Sequence, residues 1–66
     1  MAIGHNIRAI RLHGLMSQDD LAKQLGITQG AVSQWELGNK NPRAAMLPKI
    51  AKVLNCTVDE LLTESA

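Results

Sequence analysis

The chain has 66 residues, of which 45% are hydrophobic and 20% are charged, and its formal net charge at pH 7 is +1. This length and composition predict a single compact domain, residues 1–66, and argue against a disordered chain. No apolar run approaches the roughly 18 residues of a membrane span, and the N-terminus lacks the apolar stretch of a signal peptide. The single cysteine, Cys56, excludes an internal disulfide. We therefore expect a protein of a reducing cytoplasm.

Apolar residues at three- and four-residue spacing predict three helices in the first part of the chain, at about residues 3–13, 17–26 and 28–38. Two of these segments open on residues that favour the N-cap position, Ser17 and Thr28. Each segment is followed by a glycine, as helix C-termini often are: Gly14, Gly26 and Gly38. The first part of the chain therefore predicts three short helices separated by tight turns.

A polar loop of turn residues, 39–43, follows the third helix. Proline is tolerated only in the first turn of a helix, so Pro48 predicts that a fourth helix begins near Ala44 or Ala45. A fifth, short helix is predicted to start at Thr57, because Thr57-Val58-Asp59-Glu60 matches the capping-box pattern. No strand alternation appears in the sequence. The predicted fold is all-α, with five short helices.

The second and third helices, at about residues 18–37, form a helix-turn-helix unit around Gly26. In such units the second helix of the pair lies in the major groove of DNA. Here that helix carries Gln29, Ser33 and Gln34 on a face with little reason to be buried, and we expect these side chains to be exposed. The alternative is that they are ordinary polar side chains on a solvent-exposed helix face.

The distribution of charge is more informative than its sum. Four cations and no acid lie between residues 37 and 58: Lys40, Arg43, Lys49 and Lys52. The tail beyond residue 58 holds three acids and no cation: Asp59, Glu60 and Glu64. A near-neutral chain can thus present one basic face to a polyanion.

Some twenty positions match one known pattern in order and spacing. In the helix-turn-helix unit they are Gln18, Leu21, Ala22, Leu25, Gly26, Ile27, Gln29, Val32, Ser33, Trp35, Glu36 and Gly38. Beyond it they are Pro42, Leu47, Ile50, Ala51, Leu54, Val58, Asp59, Glu60 and Leu61. The pattern closely resembles the helix-turn-helix domains of lambdoid phage repressors and Cro proteins, the Cro/repressor-type family. The resemblance runs from about Ile7 to Leu62. It implies a five-helix, lambda-repressor-like DNA-binding domain with its recognition helix at about residues 28–37.

The resemblance also implies roles for individual side chains. It assigns base reading to Gln29, Ser33 and Gln34, and glutamine can hydrogen-bond adenine through two atoms at once. It assigns contacts with the DNA backbone to six residues: Gln18, Thr28, Asn39, Lys40, Asn41 and Arg43. It pairs Arg11 with Glu36 in an ion pair that would hold the third helix against the first. The alternative for that pair is two unrelated surface charges.

Nothing in the sequence predicts an active site. There is no nucleophile-and-base arrangement, zinc-ligand spacing or phosphate-binding loop, so we expect neither an enzyme nor a cofactor, metal or small-molecule ligand. His5 and His13 would lie about 12 Å apart along one helix, too far to share a metal. Cys56 is interpreted as a small core residue.

The resemblance predicts a transcriptional regulator of the phage or prophage repressor or Cro type, in a bacterial cytoplasm and associated with the nucleoid. We expect it to bind a palindromic double-stranded operator as a weak homodimer through the fifth helix, at Val58, Leu61 and Leu62. Adjacent helical residues point about 100° apart, so we expect only one of the two leucines to be fully buried. If the 66 residues are an excised domain, dimerisation would lie elsewhere. An antitoxin of this fold, with a toxin protein as its main partner, and a restriction–modification controller are the alternatives.

Overall fold

The structure is a computed structural model that describes residues 2–63. Five α-helices and one 3₁₀ turn lie within this range. In chain order the helices are α1 (Ile3–His13), α2 (Gln18–Leu25), α3 (Gln29–Glu36), α4 (Leu47–Leu54) and α5 (Val58–Leu62). The 3₁₀ turn, Ala44–Met46, directly precedes α4. Residues 2–63 contain no strand. The predicted all-α fold with five helices is confirmed.

Local capping determines where α2 and α5 begin. The hydroxyl of Ser17 accepts a hydrogen bond from the amide of Asp20 at 3.0 Å, and the Asp20 carboxylate accepts one from the amide of Ser17 at 3.1 Å. Thr57 and Glu60 form the same reciprocal pair at the start of α5, at 3.0 and 3.1 Å. Two otherwise unpaired amides are satisfied at each helix start, which explains why these boundaries were predictable.

Two predicted boundaries differ in detail. Gly14 ends α1 with a φ of −83°, and the left-handed residue is the next one, Leu15, whose φ is +58° and whose side chain is 94% exposed. Helical structure does begin at Ala44, but as a 3₁₀ turn, with the α-helix starting at Leu47. The reason is Pro48, which has no N–H to donate to the carbonyl of Ala44; the amide of Leu47 donates to it instead.

The core is aliphatic apart from one tryptophan. Its buried members come from all five helices: Ile3, Ile7, Leu21, Ala22, Leu25, Val32, Trp35, Leu47, Ile50, Ala51 and Leu61. α1 packs against α3 and α5, and α2 packs against α3 and α4. Gly26, with a φ of +72°, turns the chain between α2 and α3 in a conformation that other residues adopt only at a cost. The core therefore holds α3 from two sides.

Gly4 allows α1 to approach the carboxyl end of α3 at backbone distance. A Cβ on Gly4 would overlap the carbonyl oxygen of Trp35 and would lie 2.8 Å from its carbonyl carbon. Nothing in the sequence marked this glycine, since the contact depends on how two separate helices cross. The first turn of α1 thus sets the position of the end of α3.

Asn6 joins the first helix to the last. Its buried side-chain amide donates to the carbonyl of Leu61 at 2.8 Å and to that of Thr63 at 2.7 Å. Carbonyls at a helix C-terminus lack intrahelical partners, and Asn6 supplies one across a separation of 55 residues. Sequence reasoning did not identify this contact either.

Candidate nucleic-acid interface

One side of α3 is anchored in the core and its N-terminus faces solvent. Val32 is fully buried and Trp35 is 8% exposed, and both lie on the anchored side. The hydroxyl of Thr28 caps the helix by accepting a hydrogen bond from the amide of Ala31 at 3.2 Å. Gln29 and Gly30, the first two residues of the helix, are exposed. The start of α3 is therefore both accessible and rigidly mounted.

The three residues assigned to base reading are not equally accessible. Gln29 is exposed, as predicted, but Ser33 and Gln34 are each half-buried, so the expectation that all three side chains are exposed is wrong for these two. The chain after α3 folds back on the helix: the amides of Asn39 and Lys40 donate to the carbonyl of Gln34 at 3.1 and 3.3 Å. This return of the loop was not visible in the sequence.

Arg11 of α1 and Glu36 of α3 form a two-point ion pair beneath this surface. The guanidinium Nε donates to Oε2 of Glu36 at 2.7 Å and Nη2 donates to Oε1 at 2.8 Å. A third nitrogen, Nη1, donates to the carbonyl of Met16 at 2.8 Å. The two side chains are only 7% and 3% exposed. The pair expected from the resemblance is present, and it ties α1, the turn after α1 and α3 together.

The environment keeps both members of the pair charged. Burial acts to raise the pKa of Glu36, but hydrogen bonds from Arg11 and Gln18 and the positive charge of Arg11 outweigh it, so the pKa lies below its usual value. The hydrogen bonds to Glu36 raise the pKa of Arg11 against the opposing effect of burial. Glu36 therefore acts only as a hydrogen-bond acceptor near neutral pH.

Gln18, the first residue of α2, links this pair to the surface of α3. Its Nε2 donates to Oε1 of Glu36 at 3.0 Å, and its Oε1 accepts a hydrogen bond from Nε2 of Gln29 at 2.7 Å. The resemblance implies only a contact with the DNA backbone for Gln18. No sequence pattern marked its contacts with Glu36 and Gln29, because they depend on the angle between α2 and α3. Side chains from three helices thus form one continuous network that ends at Gln29.

The loop residues assigned to the DNA backbone are exposed together between α3 and the 3₁₀ turn. They are Asn39, Lys40, Asn41 and Arg43. Pro42 is buried and holds the middle of the loop against the domain. Neither Lys40 nor Arg43 forms an ion pair with a carboxylate within residues 2–63. The loop therefore offers two cations next to the carboxyl end of α3.

The three residues assigned to a dimer contact differ in burial. Leu61 is fully buried, so its assignment as a contact residue is wrong: its side chain fills the core and anchors α5. Leu62 is 42% exposed, which agrees with the expectation that one of the two leucines is left uncovered. Val58 is half-buried and packs against the core. Leu62 is the apolar residue of α5 that a partner can reach.

The described part of the chain offers little for other chemistry. Residues 2–63 contain no group of three or more His, Cys, Asp or Glu side chains that could hold a metal ion. None of the helices in that range is long and apolar enough to cross a membrane. Cys56 is half-buried against the core, and burial, together with the charge of Glu60, raises the pKa of its thiol. A raised pKa makes the thiol less reactive, in keeping with a packing role.

Comparisons with known proteins agree with this geometry. The family model described as Helix-turn-helix (HTH_3) matches residues 7–61. The HTH-type transcriptional regulator YazB of Bacillus subtilis is 41% identical over 58 residues, which cover 88% of this chain and 84% of YazB. Repressor protein C2 of Salmonella phage P22 is 37% identical over 60 residues. The HTH-type transcriptional regulator DicA of Escherichia coli is 40% identical over 57 residues.

A solved structure shares the fold. The P22 c2 repressor protein, in complex with the synthetic operator 9T, superimposes with a TM-score of 0.83 at 36% identity, covering 89% of each chain. The matched segments are 91% of this chain but 28% of repressor C2, and 86% of this chain but 42% of DicA. The HTH-type transcriptional activator BcrR of Enterococcus faecalis is likewise matched over 31% of its length. The chain belongs to the helix-turn-helix family.

Proposed function

We propose that this chain is a sequence-specific, double-stranded-DNA-binding transcriptional regulator that inserts α3 into the major groove. The observation that carries the proposal is the likeness in fold, at 36% identity, to a repressor solved on its operator. The burial pattern of α3 supports it, because Val32 and Trp35 hold the helix while Gln29 is exposed to solvent. The proposal assigns the chain no enzymatic activity and no cofactor.

Base reading is proposed for Gln29, with Ser33 and Gln34 contributing the parts of their side chains that remain exposed. Gly30 supports a close approach of α3 to the groove: it is exposed, and a Cβ there would meet only the Thr28 hydroxyl, at 3.9 Å. With no side chain at this position, a base edge can come close to the helix backbone. Because Gln29 is the most exposed of the three residues, it is the main base-contacting residue in this proposal.

Contacts with the DNA backbone are proposed for two groups of residues that flank α3. The first group is Gln18 and Thr28, which stand at the N-termini of α2 and α3, where free amides and the helix dipole favour a phosphate. The second group is the exposed loop set Asn39, Lys40, Asn41 and Arg43. Such contacts fix register and supply affinity without specifying sequence.

We further propose that the chain acts as a weak dimer on a palindromic operator, as a phage or prophage repressor or Cro-like protein does. Two reading helices must lie about 34 Å apart to meet successive major grooves on one face of DNA. Leu62, 42% exposed on α5, is the proposed centre of the dimer contact. A cytoplasmic location, on the nucleoid, follows from this function.

The relatives named above do not favour the antitoxin alternative. They are described as transcriptional regulators, an activator and a repressor, and none is described as a partner of a toxin. A restriction–modification controller binds DNA by the same means, so it differs in the genes it regulates rather than in the site. The repressor-type regulator and the restriction–modification controller, the two functions that remain, both bind DNA.

Selection of bound sites from random double-stranded DNA tests the proposal directly. The expected result is a palindrome whose half-site centres lie about one helical turn apart. Gln29→Ala should relax the preference at one or two base pairs per half-site, at a cost of about 1–3 kcal/mol there. Gln24→Ala, on the exposed face of α2, is the matched control and should leave the selected sequence unchanged. The proposal would be contradicted if the unsubstituted chain selected no preferred sequence.

A further inference from the structure

Leu37, the residue directly after α3, continues the geometry of that helix. Its φ of −77° and ψ of −11° are right-handed helical values, and its amide donates to the carbonyl of Ser33 at 2.9 Å, as an α-helical amide does. The chain turns away only at Gly38, whose φ is +80°. The direction of the Leu37 side chain therefore follows from the helical repeat of about 100° per residue.

That direction is away from the core. Val32 and Trp35 hold α3 from the core side. Counted at about 100° per residue, Leu37 points within about 10° of the direction opposite to the mean of these two side chains. On the same count, Gly30 points about 20° from Leu37 and Ser33 about 40° from it. Leu37 thus lies at the centre of the outward face of α3, beside residues proposed to approach the bases.

The outward face leaves Leu37 uncovered. The residue is 68% exposed, and it is not one of the half-buried apolar residues that pack against the core. The loop after α3 folds back at the carbonyl of Gln34, on the flank of this face. Single exposed leucines are common on protein surfaces, so the position of Leu37 rather than its exposure carries the inference. Because Gly30 has no side chain and that of Ser33 is short, Leu37 is the largest group at the centre of this face.

An apolar side chain has one apolar partner on the base edges of the major groove, the C5-methyl group of thymine. The other groups there are hydrogen-bond donors and acceptors, which a leucine would cover without pairing. Cytosine lacks this methyl group and presents an amino group nearby. A leucine that meets a base edge therefore favours T·A over C·G.

We propose that Leu37 determines specificity for a T·A pair by packing against the thymine methyl group. This inference rests on the proposed function, since a thymine methyl group is within reach only when α3 lies in the major groove. Leu37 lies about 12 Å along the helix from Gln29, the length of three or four base pairs at about 3.4 Å each. The outward face meets DNA rather than a second copy of the chain, because Leu37 continues the surface formed by Gly30 and Ser33.

Deoxyuridine in place of thymine tests this contact, because it removes the C5-methyl group and leaves the hydrogen-bonding groups of the base unchanged. Each thymine of one half-site of the selected operator is replaced in turn. The duplexes are titrated with the unsubstituted chain, with Leu37→Ala and with Leu12→Ala, and unfolding curves verify that each variant folds. Leu12 is a 47% exposed leucine of α1 to which no DNA contact is assigned, so Leu12→Ala is the matched control.

With the unsubstituted chain, deoxyuridine at one thymine should reduce affinity about threefold to fourfold, the scale of one buried methyl group. This thymine should lie about three or four base pairs from the pair whose preference Gln29→Ala relaxes. Leu37→Ala should bind the thymine operator at least as weakly, and deoxyuridine should cause it no further loss, since both changes remove the same contact. Leu12→Ala should behave like the unsubstituted chain.

5-Methylcytosine supplies a second measurement, because it places the methyl group on a C·G pair. At the same position the unsubstituted chain should bind 5-methylcytosine more tightly than cytosine, and Leu37→Ala should bind the two equally. These duplexes distinguish a contact with the methyl group from a hydrogen bond to another group of the base.

The proposal would be overturned if no deoxyuridine duplex lost affinity for the unsubstituted chain, or if the loss persisted at full size in Leu37→Ala. It would also fail if Leu37→Ala abolished cooperative filling of two half-sites while deoxyuridine had no effect, since the face would then bind a second copy. Selection of no preferred sequence by the unsubstituted chain is a different result, and it would overturn the proposed function itself.

Discussion

The Cα of Gly4 on α1 lies directly against the backbone carbonyl of Trp35 on α3, with no room for a side chain between them. The contact lies one residue before Glu36, which Arg11 of the same α1 helix holds by two hydrogen bonds. α1 therefore secures the carboxyl end of α3 at two points, one steric and one electrostatic. The angle at which α3 projects from the domain depends on both.

Gly4→Ala should destabilise the domain by about 1–3 kcal/mol or more, because the added methyl group would collide with a backbone carbonyl that cannot rotate away. Gly30→Ala is the matched control: its methyl group makes only an ordinary van der Waals contact with the Thr28 hydroxyl, and helix propensity should stabilise the domain by up to about 1 kcal/mol. Urea unfolding measures both. A Gly4→Ala protein as stable as the parent would show that α1 and α3 separate easily.

The buried ion pair should make stability depend on acid. Folding lowers the pKa of Glu36, so its contribution is fully present above the unfolded value of about 4.3 and is lost as the pH falls through the lower folded value. The pKa of Asp20 is also lowered, chiefly by the hydrogen bond from the backbone of Ser17. Protonation of Asp20 in acid therefore reduces stability as well. When the free energy of unfolding is measured from pH 7 to pH 3, it should therefore decrease once the pH is below about 4.3.

Glu36→Gln tests the origin of this acid dependence. It should cost about 3–5 kcal/mol at pH 7, because Arg11 is left buried without its counter-charge, and it should flatten the acid limb of the curve. Asp19→Asn, which breaks the exposed pair with Lys23, should cost less than about 1 kcal/mol. Equal costs for the two substitutions would show that burial does not strengthen the Arg11 pair.

Lys40→Ala should weaken binding to all DNA sequences alike and reduce the slope of log affinity against log salt by about one, because the phosphate contact proposed for Lys40 would be lost. Lys52→Ala removes an exposed cation of α4 to which no DNA contact is assigned, and it should leave the slope unchanged. Titrations at several salt concentrations give both slopes. If Lys40→Ala left the slope unchanged and lost affinity only for the preferred sequence, the backbone contact assigned to Lys40 would be contradicted.

Leu62→Glu should leave the domain folded and abolish cooperative filling of two half-sites, since this side chain is exposed on α5. Leu61→Glu should instead unfold the domain, because it would bury a carboxylate in the core. Sedimentation and titration of single and paired half-sites distinguish the two effects. Wild-type cooperativity in a folded Leu62→Glu protein would place the dimer contact elsewhere.

Features that depend on neighbouring residues were predictable from the sequence. Ser17, Thr28 and Thr57 cap helices through groups three residues away, so their positions set helix starts regardless of the rest of the fold. The core positions followed from helical periodicity in the same way, and Trp35 is buried as expected. The Arg11–Glu36 pair came from the family resemblance, not from the local pattern.

Features that depend on packing between distant segments were not predictable. Asn6 reaches a carbonyl 55 residues away, and the close approach at Gly4 exists only once α1 crosses α3. Gln34 is half-buried at a position of α3 where the loop after the helix folds back. A single sequence carries the propensity of each segment but no information on the angle at which two segments meet.

The 2.7 Å hydrogen bond between Gln18 and Gln29 has an evolutionary consequence. A descendant that replaced Gln29 with an apolar or acidic residue would leave the Gln18 oxygen without its donor. If residue 29 reads a base as proposed, residues 18 and 29 should change together along lineages that acquire new binding sites, although eleven positions separate them. Under the proposed function, a single substitution at residue 29 would therefore remove the contact with Gln18 together with the base contact.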